Sequence, residues 1–251
     1  MSVYLEILEK LRQNKLHMTL IDPARQDPEK SAEIANQAGL AGTDFIMIGG
    51  STEIDRESMD EAIIAIKKRC QRKVIIFPGS SSMISRYADA IYFMSLLNSR
   101  SPEFLFRHQV RAAPHLKRMK IESIPMGYLV FKPGMTVGRV GEADLLDNGD
   151  PESAVSYSMA AEMMGMKMVY LEAGSGSPTT VSPELISHVK KAINIPLIVG
   201  GGIRDASSAS DIARAGADIV VTGTIVEGCK DIFNRLNPIV KAVHEASMNR
   251  F

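Results

Sequence analysis

Neither sign of charge dominates this 251-residue sequence, which holds 29 lysines and arginines against 29 aspartates and glutamates. It also lacks the basic runs and the aromatic-basic interleaving that are typical of nucleic-acid-binding proteins, so no nucleic-acid partner is expected. No uninterrupted apolar stretch reaches the ~20 residues that a membrane-spanning helix needs. Residues 1–10 mix acidic residues into an amphipathic pattern, unlike a signal peptide. We expect a soluble, cytoplasmic protein with at most a transient contact with a membrane surface.

Cysteine and the common catalytic fingerprints are also scarce. The two cysteines, Cys70 and Cys229, lack the spacing of metal ligands. We expect reduced thiols, with a structural disulfide as the alternative. The histidines are scattered, and no nucleophile elbow, Walker loop or dinucleotide fingerprint occurs in the setting that each requires. The sequence therefore offers no signature of a zinc site, a serine hydrolase or a nucleotide-binding loop.

What the chain does have is a regular alternation of apolar runs and helical stretches. Eight runs have the composition of buried parallel strands, at 16–21, 44–48, 74–77, 90–93, 125–131, 168–172, 196–199 and 218–222. Helical spacing with Asp, Ser or Pro near the start recurs between most of them, at 28–38, 58–69, 151–164, 182–192 and 207–215. Eight strands and this length predict a single (β/α)8 barrel of the TIM type. No linker divides the chain, so residues 1–251 are interpreted as one phosphate-binding barrel domain.

The alternation fails once, between the third and fourth predicted strands. Residues 78–89 are rich in serine and leave space for little more than one helical turn. A full parallel crossover usually needs a dozen or more residues, most of them helical. Either the third helix is short and degenerate, or it is missing and its absence opens a slot beside the barrel for an elongated ligand.

Glycine and hydroxyl residues end three strands of the second half. Parallel α/β proteins bind ligands at this edge of the sheet, and clustered backbone N–H groups there can hold an anion. In TIM barrels the loops after the last two strands often bind phosphate. The sequence therefore predicts a phosphate site built from Tyr170-Leu-Glu-Ala-Gly-Ser-Gly176, Val199-Gly-Gly-Gly-Ile-Arg204 and Thr222-Gly-Thr224.

A sparse metal site is predicted at the first two strand ends. Asp22 follows the first strand and Ser51 follows the second, so a carboxylate and a hydroxyl could face one point. Mg²⁺ takes few protein ligands when phosphate oxygens supply the rest. The alternatives are a helix N-cap for Asp22 and simple turn chemistry for Ser51.

Glu172 interrupts an apolar strand, and a charged residue is seldom buried without a purpose or a partner. It could hydrogen-bond to substrate hydroxyls or take a hydroxyl proton. The alternative is an ion pair with an arginine such as Arg204. Tyr170 shares the same strand face and could add a polar contact, or it could be a packed core residue.

Taken as a set, the strand ends resemble those of geranylgeranylglyceryl phosphate synthases, archaeal prenyltransferases that make the first ether bond of membrane lipids. The resemblance covers nearly the whole chain. It is carried by Leu20-Ile-Asp-Pro23, Ile48-Gly-Gly-Ser-Thr52, Phe77-Pro-Gly-Ser80, Ser95-Leu-Leu-Asn-Ser99, the three segments above and Ile225-Val226. Related bacterial heptaprenyl enzymes, and some archaeal ones, have Tyr-Ser-Gly after the corresponding glutamate, so Ala-Gly-Ser-Gly at 173–176 favours the archaeal geranylgeranyl group.

The resemblance implies a modified barrel that lacks its third helix, and it implies roles for individual residues. Asp22 and Ser51 would bind Mg²⁺, the expected cofactor, and Glu172 and Asp22 would be catalytic. The implied ligands of sn-glycerol-1-phosphate are Tyr170, Leu171, Glu172, Ala173, Gly174, Ser175, Gly176, Gly201, Gly202, Gly223 and Thr224.

The implied reaction joins geranylgeranyl diphosphate to the C3 hydroxyl of sn-glycerol-1-phosphate, and a homo-oligomer is expected. One alternative is a phosphosugar enzyme on the same barrel, although Lys132 is the only lysine at a strand end. The others are a synthase with a different preferred chain length and a barrel that binds ligands without catalysis.

Overall fold

Eight parallel strands close into a barrel in the computed structural model, which describes residues 2–50 and 54–246. Each strand pairs with its neighbours in sequence, and β1 pairs with β8 to close the sheet. The strands are β1 (Leu16–Ile21), β2 (Phe45–Gly49), β3 (Val74–Phe77), β4 (Ala90–Leu96), β5 (Glu122–Val130), β6 (Met168–Glu172), β7 (Leu197–Gly200) and β8 (Ile219–Thr222). The predicted (β/α)8 fold is confirmed.

Helices follow most of the strands and form an outer layer. They are α1 (Val3–Leu11), α2 (Pro28–Leu40), α3 (Arg56–Arg69), α4 (His108–Met119), α5 (Met135–Val140), α6 (Pro151–Met163), α7 (Pro183–Ala192), α8 (Ala206–Ala215) and α9 (Ile232–Glu245). In α2, α6 and α7 an Asp or Ser side chain caps the first turn and proline follows it. This arrangement satisfies a terminal N–H group and uses a residue whose fixed φ suits a helix start.

The crossover from β3 to β4 contains no helix, so the predicted gap is confirmed. The sequence analysis missed α4, α5 and α9, together with a π-helical turn at Glu103–Arg107. Both α4 and α9 contain an internal proline, Pro114 and Pro238, which interrupts the expected helical pattern. The short α5 contains Gly138, and glycine weakens a helical pattern in the same way.

Alternate residues of each strand point into the barrel or out to the helices. The interior is fully packed with apolar and aromatic side chains, and near its upper end Phe77, Tyr92, Tyr128 and Tyr170 form one aromatic cluster. The outward faces pack against the helices in two further clusters. This packing fixes the strand ends, which are the platform for the candidate site.

Both cysteines are free, as expected, with Cys70 buried and Cys229 partly exposed. Within the described ranges, no helix has the length and apolar character needed to cross a bilayer.

Candidate active site

An open pocket, with about 820 Å³ of free space including the solvent at its mouth, lies at the carboxyl ends of β6, β7 and β8 and contains polar groups; it is called the polar pocket. It is the place where the sequence predicted a phosphate site. Its lining brings together many of the predicted residues, namely Tyr170, Glu172, Ser175, Gly176, Gly201, Gly202, Gly223 and Thr224. The loops after three neighbouring strands therefore converge on one cavity.

Glu172 is the one acidic residue among those that line this pocket, and it is only 6% exposed. Its Oε1 accepts a hydrogen bond from the backbone N–H of Gly174 at 2.6 Å. Burial raises the pKa of Glu172 to about 7, although the Gly174 N–H and the Tyr170 hydroxyl oppose that shift by stabilising the carboxylate. No described cationic group lies within 4.0 Å of the Glu172 carboxylate, so the alternative of an arginine ion pair is wrong.

Tyr170 combines the two roles that the sequence left open. Its ring is buried in the aromatic cluster, and its hydroxyl stabilises the charged form of the nearby Glu172 carboxylate. Burial, followed by the charge of Glu172, raises the pKa of Tyr170 well above its usual value, so it remains a proton donor. A Cβ on Gly200 would lie 2.2 Å from the Tyr170 oxygen, so glycine is required for the hydroxyl to reach this position.

Gly201 and Gly202 let the loop after β7 approach the loop after β6. Both have positive φ, at 85° and 75°. A Cβ on Gly201 would lie 2.4 Å from Glu172 Oε1, and one on Gly202 would lie 2.4 Å from the Thr179 carbonyl oxygen. These glycines therefore permit a close backbone approach that no other residue type would allow.

Gly223 and Thr224 contribute differently. Gly223 has negative φ, and a Cβ there would meet its nearest atom at 3.4 Å, so packing does not demand glycine. The Thr224 hydroxyl lies 2.9 Å from that of Ser175 and links the loops after β8 and β6. Of all the predicted contacts, these two are the least constrained by the fold itself.

Leu171 and Ala173 are turned away from the pocket. Both side chains are buried in the cluster between the barrel and the helices. The Ala173 N–H is bonded to the Gly200 carbonyl oxygen at 3.2 Å. Any contact between these two residues and a ligand would have to use their backbone atoms.

Two arginines that the sequence analysis did not name as individual ligands also line the pocket. Arg204 Nη2 donates to the carbonyl oxygens of Gly176 and Ser177, both at 3.1 Å, and so braces the loop after β6. Arg235, on α9, also lines the cavity. The position of Arg204 at the end of the Gly-Gly-Gly-Ile-Arg segment indicated that it lies near the site, whereas Arg235 lies in a helix that the sequence analysis did not predict.

Asp22 lies in the turn after β1 and does not cap a helix, since the N-cap of α2 is Asp27. Its Oδ1 accepts from the Ala24 N–H at 3.0 Å, and its Oδ2 lies 3.3 Å from Arg25 Nε. Burial is the main cause that raises the pKa of Asp22 above its ordinary value. Gly50 is its neighbour across the barrel mouth, where a Cβ would lie 2.7 Å from Asp22 Oδ2.

Only one of the two predicted metal ligands, Asp22, lies among the described residues. Ser51 lies outside the described residues, and the described part of the chain holds no cluster of three His, Cys, Asp or Glu suited to a metal ion. The Asp22 carboxylate supplies hard oxygen atoms of the kind that Mg²⁺ prefers. Such a donor suits Mg²⁺ only if a substrate phosphate completes the coordination.

An apolar groove with about 760 Å³ of free space runs beside the barrel where the crossover lacks a helix. Ile84, Ile91, Phe93, Ala112 and Leu116 line its apolar wall. At its upper end the groove reaches Gly50, Phe77 and Tyr128, and so comes to the same barrel mouth as the polar pocket. The groove fits the slot for an elongated ligand that the short crossover predicted.

Known proteins with the same sequence pattern share this architecture. Residues 9–245 match the PcrB family. The chain is 58% identical to the geranylgeranylglyceryl phosphate synthase of Thermoplasma volcanium over 96% of this chain and 95% of the relative. It is 57% identical to that of Picrophilus torridus over 97% of this chain and the whole of the relative.

A solved structure agrees with these relatives. It is (S)-3-O-geranylgeranylglyceryl phosphate synthase from Thermoplasma acidophilum in complex with its substrate sn-glycerol-1-phosphate. The TM-score is 0.95 at 56% identity, and the alignment covers 98% of this chain and 99% of the other.

Proposed function

The chain belongs to the PcrB family, and from that premise we infer that it joins geranylgeranyl diphosphate to the C3 hydroxyl of sn-glycerol-1-phosphate. The products are geranylgeranylglyceryl phosphate and diphosphate, in the synthesis of ether lipids. The observation that supports this reaction best is the presence of two cavities of different character at one barrel mouth. One contains polar groups and is edged by glycine loops, and the other is predominantly apolar.

The polar pocket suits the acceptor. Backbone N–H groups of the glycine loops can approach a phosphate closely, and Arg204 and Arg235 add positive charge to the lining. Glu172 then lies beside the glycerol hydroxyls. This division assigns the phosphate to the loops after β7 and β8 and the reacting end of the acceptor to β6.

Glu172 is proposed to bind the C3 hydroxyl and to receive its proton. In the reaction the hydroxyl oxygen forms a bond to C1 of the prenyl chain while the bond from C1 to the diphosphate breaks. A carboxyl group with a pKa of about 7 is well matched to exchanging a proton near neutral pH. The Gly174 N–H donates a hydrogen bond to the carboxylate, and the nearby Tyr170 hydroxyl stabilises its charged form.

Asp22 is proposed as a ligand of Mg²⁺, with Ser51 as a second ligand. A bound Mg²⁺ would neutralise the charge that develops on the departing diphosphate. The chemistry of the donors fits, because Mg²⁺ is often held by one carboxylate together with substrate phosphate oxygens. The position also fits, since Asp22 adjoins Gly50 at the end of the apolar groove.

The apolar groove is proposed to hold the prenyl chain of the donor. Burial of each CH₂ group contributes about 0.8 kcal/mol, so a twenty-carbon chain would be held strongly by an apolar wall. A phosphosugar isomerase or aldolase would have little use for such a groove. Lys132, which follows the carboxyl end of β5, is exposed and paired with Asp147 at 3.0 Å, so it is poorly placed to form a Schiff base.

Incubation with labelled glycerol-1-phosphate and a panel of prenyl diphosphates tests the proposal. We expect a labelled product with geranylgeranyl diphosphate, and loss of that product in excess EDTA. Labelled product with another chain length alone would change the donor assignment, and no product with any donor would refute prenyl transfer. Assembly as a homo-oligomer and a location in the cytoplasm stay predictions, to be measured by light scattering and by fractionation of cells.

A further inference from the structure

Arg25 links two carboxylates that come from opposite ends of the barrel sequence. Its Nε lies 3.3 Å from Asp22 Oδ2, in the turn after β1. Its Nη1 forms an ion pair with Glu227, which directly follows the 3-10 turn Thr224–Val226 after β8. One guanidinium group thus lies between two acidic groups, which leaves this set of three side chains with a net negative charge.

These three side chains adjoin residues that line the two cavities of the proposed reaction. On one side, the Asp22 carboxylate adjoins Gly50, which lines the apolar groove. On the other side, Glu227 follows the turn that contains Thr224 and Ile225, both of which line the polar pocket. If the prenyl chain lies in the groove and the acceptor in the pocket, the diphosphate of the donor must lie near this boundary.

Arg25 is well suited to exchange partners. Its side chain is 49% exposed, so its ion pairs are screened by water and weakly held. A guanidinium group presents a planar fork of donors that matches phosphate oxygens as well as carboxylate oxygens. A diphosphate carries more negative charge than either carboxylate and would compete effectively for the same donors.

We propose that Arg25 is a diphosphate-binding residue, which is held by Asp22 and Glu227 in the empty site and turns its guanidinium group to the donor's diphosphate on binding. The inference rests on the proposed function, because it takes the donor to be a prenyl diphosphate. Arg25 would then favour departure of the diphosphate by placing positive charge where negative charge accumulates.

The test is the affinity for inorganic pyrophosphate, measured by calorimetry with and without MgCl₂ at constant ionic strength. We expect Arg25→Gln to weaken pyrophosphate binding by about tenfold or more, the usual size of a charge-assisted contact. The affinity for glycerol-1-phosphate should stay within about twofold, since Arg25 does not line the polar pocket. Arg25→Lys keeps the charge but loses the fork, so it should bind with intermediate affinity.

Lys30→Gln is the matched control for the loss of one positive charge. Lys30 lies on α2 and pairs with Glu33 at 2.8 Å, away from both cavities. It should bind pyrophosphate like the wild type. Circular dichroism at the assay temperature checks that the Arg25 variants remain folded, and Arg25→Lys keeps the test valid if Arg25→Gln unfolds.

Glu227→Gln separates a binding role from a structural clamp. If Arg25 binds diphosphate, removing one of its carboxylate partners should leave pyrophosphate affinity unchanged or tighter. If Arg25 only fastens the two loops together, Glu227→Gln and Arg25→Gln should lower thermal stability equally. In that case Arg25→Gln should leave pyrophosphate affinity unaltered. This pair of results would overturn the inference. Failure of the proposed function is distinguishable, because it would appear as a wild-type protein with no turnover on any prenyl diphosphate.

Discussion

Tyr128 and Tyr170 pack edge to face inside the barrel, with ring centroids 5.2 Å apart and planes at 83°. Tyr128 lines the apolar groove and Tyr170 lines the polar pocket, so the two rings form a wall that both cavities share. Such edge-to-face pairs are favoured over stacked ones and help to fix side-chain positions. The barrel core therefore contributes to the relative placement of the two proposed substrates.

Replacing Glu172 by glutamine tests its proposed role in proton transfer. The amide keeps the size and one acceptor oxygen of the carboxylate but cannot accept a proton. If Glu172 is the base, kcat should fall by about 10²–10⁴, the usual range for such a group. If it only orients the acceptor, KM for glycerol-1-phosphate should rise while kcat changes less.

The pH dependence of kcat/KM provides a second test of Glu172 as the base. Since burial raises the pKa of Glu172 to about 7, the carboxylate is depleted below neutral pH. We expect kcat/KM of the wild type to fall about tenfold per pH unit below pH 7 and to level off above it. The glutamine variant should lack this inflection. Unchanged kcat and KM in Glu172→Gln would rule out a role of Glu172 as the base. A wild-type kcat/KM that does not change with pH through neutrality would rule it out as well.

The same pKa predicts how stability depends on pH. Between the ordinary value of 4.5 and about 7, folded Glu172 keeps its proton while the unfolded chain releases it. The unfolded state therefore binds fewer protons, and the contribution of Glu172 to the free energy of unfolding falls as pH rises through this window. Above pH 7 the folded protein contains a buried carboxylate, which Glu172→Gln removes.

We therefore expect Glu172→Gln to raise Tm relative to the wild type by several degrees at pH 8, and by much less at pH 5. Differential scanning calorimetry at both pH values measures this difference. Glu184→Gln, on the exposed first turn of α7, is the control and should show no such contrast. A Tm difference for Glu172→Gln that is the same at both pH values would contradict the raised pKa.

Asp22→Asn tests the proposed metal site. The amide keeps the size of the side chain but loses the charge that attracts a hard cation. We expect most activity to be lost and the Mg²⁺ concentration that gives half-maximal activity to rise, with the fold intact by circular dichroism. Ser51→Ala should do less, because water can replace a neutral hydroxyl. Full turnover by Asp22→Asn, or wild-type activity in excess EDTA, would contradict the assignment.

Much of this architecture was predictable because local pattern and global fold agree. The bounds of β1, β3 and β6 match the predicted runs, since a strand buried on both faces is rich in apolar residues, and β1 and β3 end just before Asp22-Pro23 and Pro78. The length of the crossover at 78–89 likewise limited it to a short, degenerate helix or a gap, and the structure shows the gap. In these segments nothing distant competes with the local signal.

Other features depend on partners that are remote in sequence and leave no local pattern. Arg25 and Glu227 are 202 residues apart, and nothing near either residue indicates that they meet. Arg235 reaches the pocket from α9, whose pattern is broken by Pro238. The raised pKa of Glu172 also required the structure, because it depends on complete burial without a cation nearby.

Gly223 is the best position from which to test the phosphate site. Gly202→Val would force a side chain into a backbone position with positive φ and against Thr179, so loss of folding would confuse its result. At Gly223 a Cβ would be in ordinary contact with Leu20, which also lines the pocket, so we expect Gly223→Val to fold and to narrow the pocket at this edge. We expect KM for glycerol-1-phosphate to rise far more than KM for the prenyl donor.

Steady-state kinetics with each substrate varied in turn measures the two constants. Gly165→Val is a control at a glycine where a Cβ meets no atom within 4 Å, although its positive φ makes it a strained substitution. It should change stability without favouring one substrate. Equal increases in both KM values for Gly223→Val would indicate general damage rather than a lost phosphate contact.

Filling the apolar groove should change which donors the enzyme accepts. Ala112 lies on α4, is 7% exposed and lines the groove wall. Ala112→Leu adds three carbon atoms to space that a long prenyl chain would occupy. We expect KM for geranylgeranyl diphosphate to rise and the preference to move toward shorter donors, because each displaced CH₂ group forfeits about 0.8 kcal/mol of burial, or roughly fourfold in affinity. KM for glycerol-1-phosphate should not change.

The neighbouring residue provides the matched control. Ala113 is on the same helix but exposed and outside the groove lining, so Ala113→Leu makes an identical chemical change on the solvent side. It should leave the order of donor preference as in the wild type. Competition between donors of three chain lengths in one reaction, with products resolved by mass spectrometry, measures the preference directly. If Ala112→Leu and Ala113→Leu gave the same product distribution as the wild type, the prenyl chain would have to lie elsewhere than in this groove.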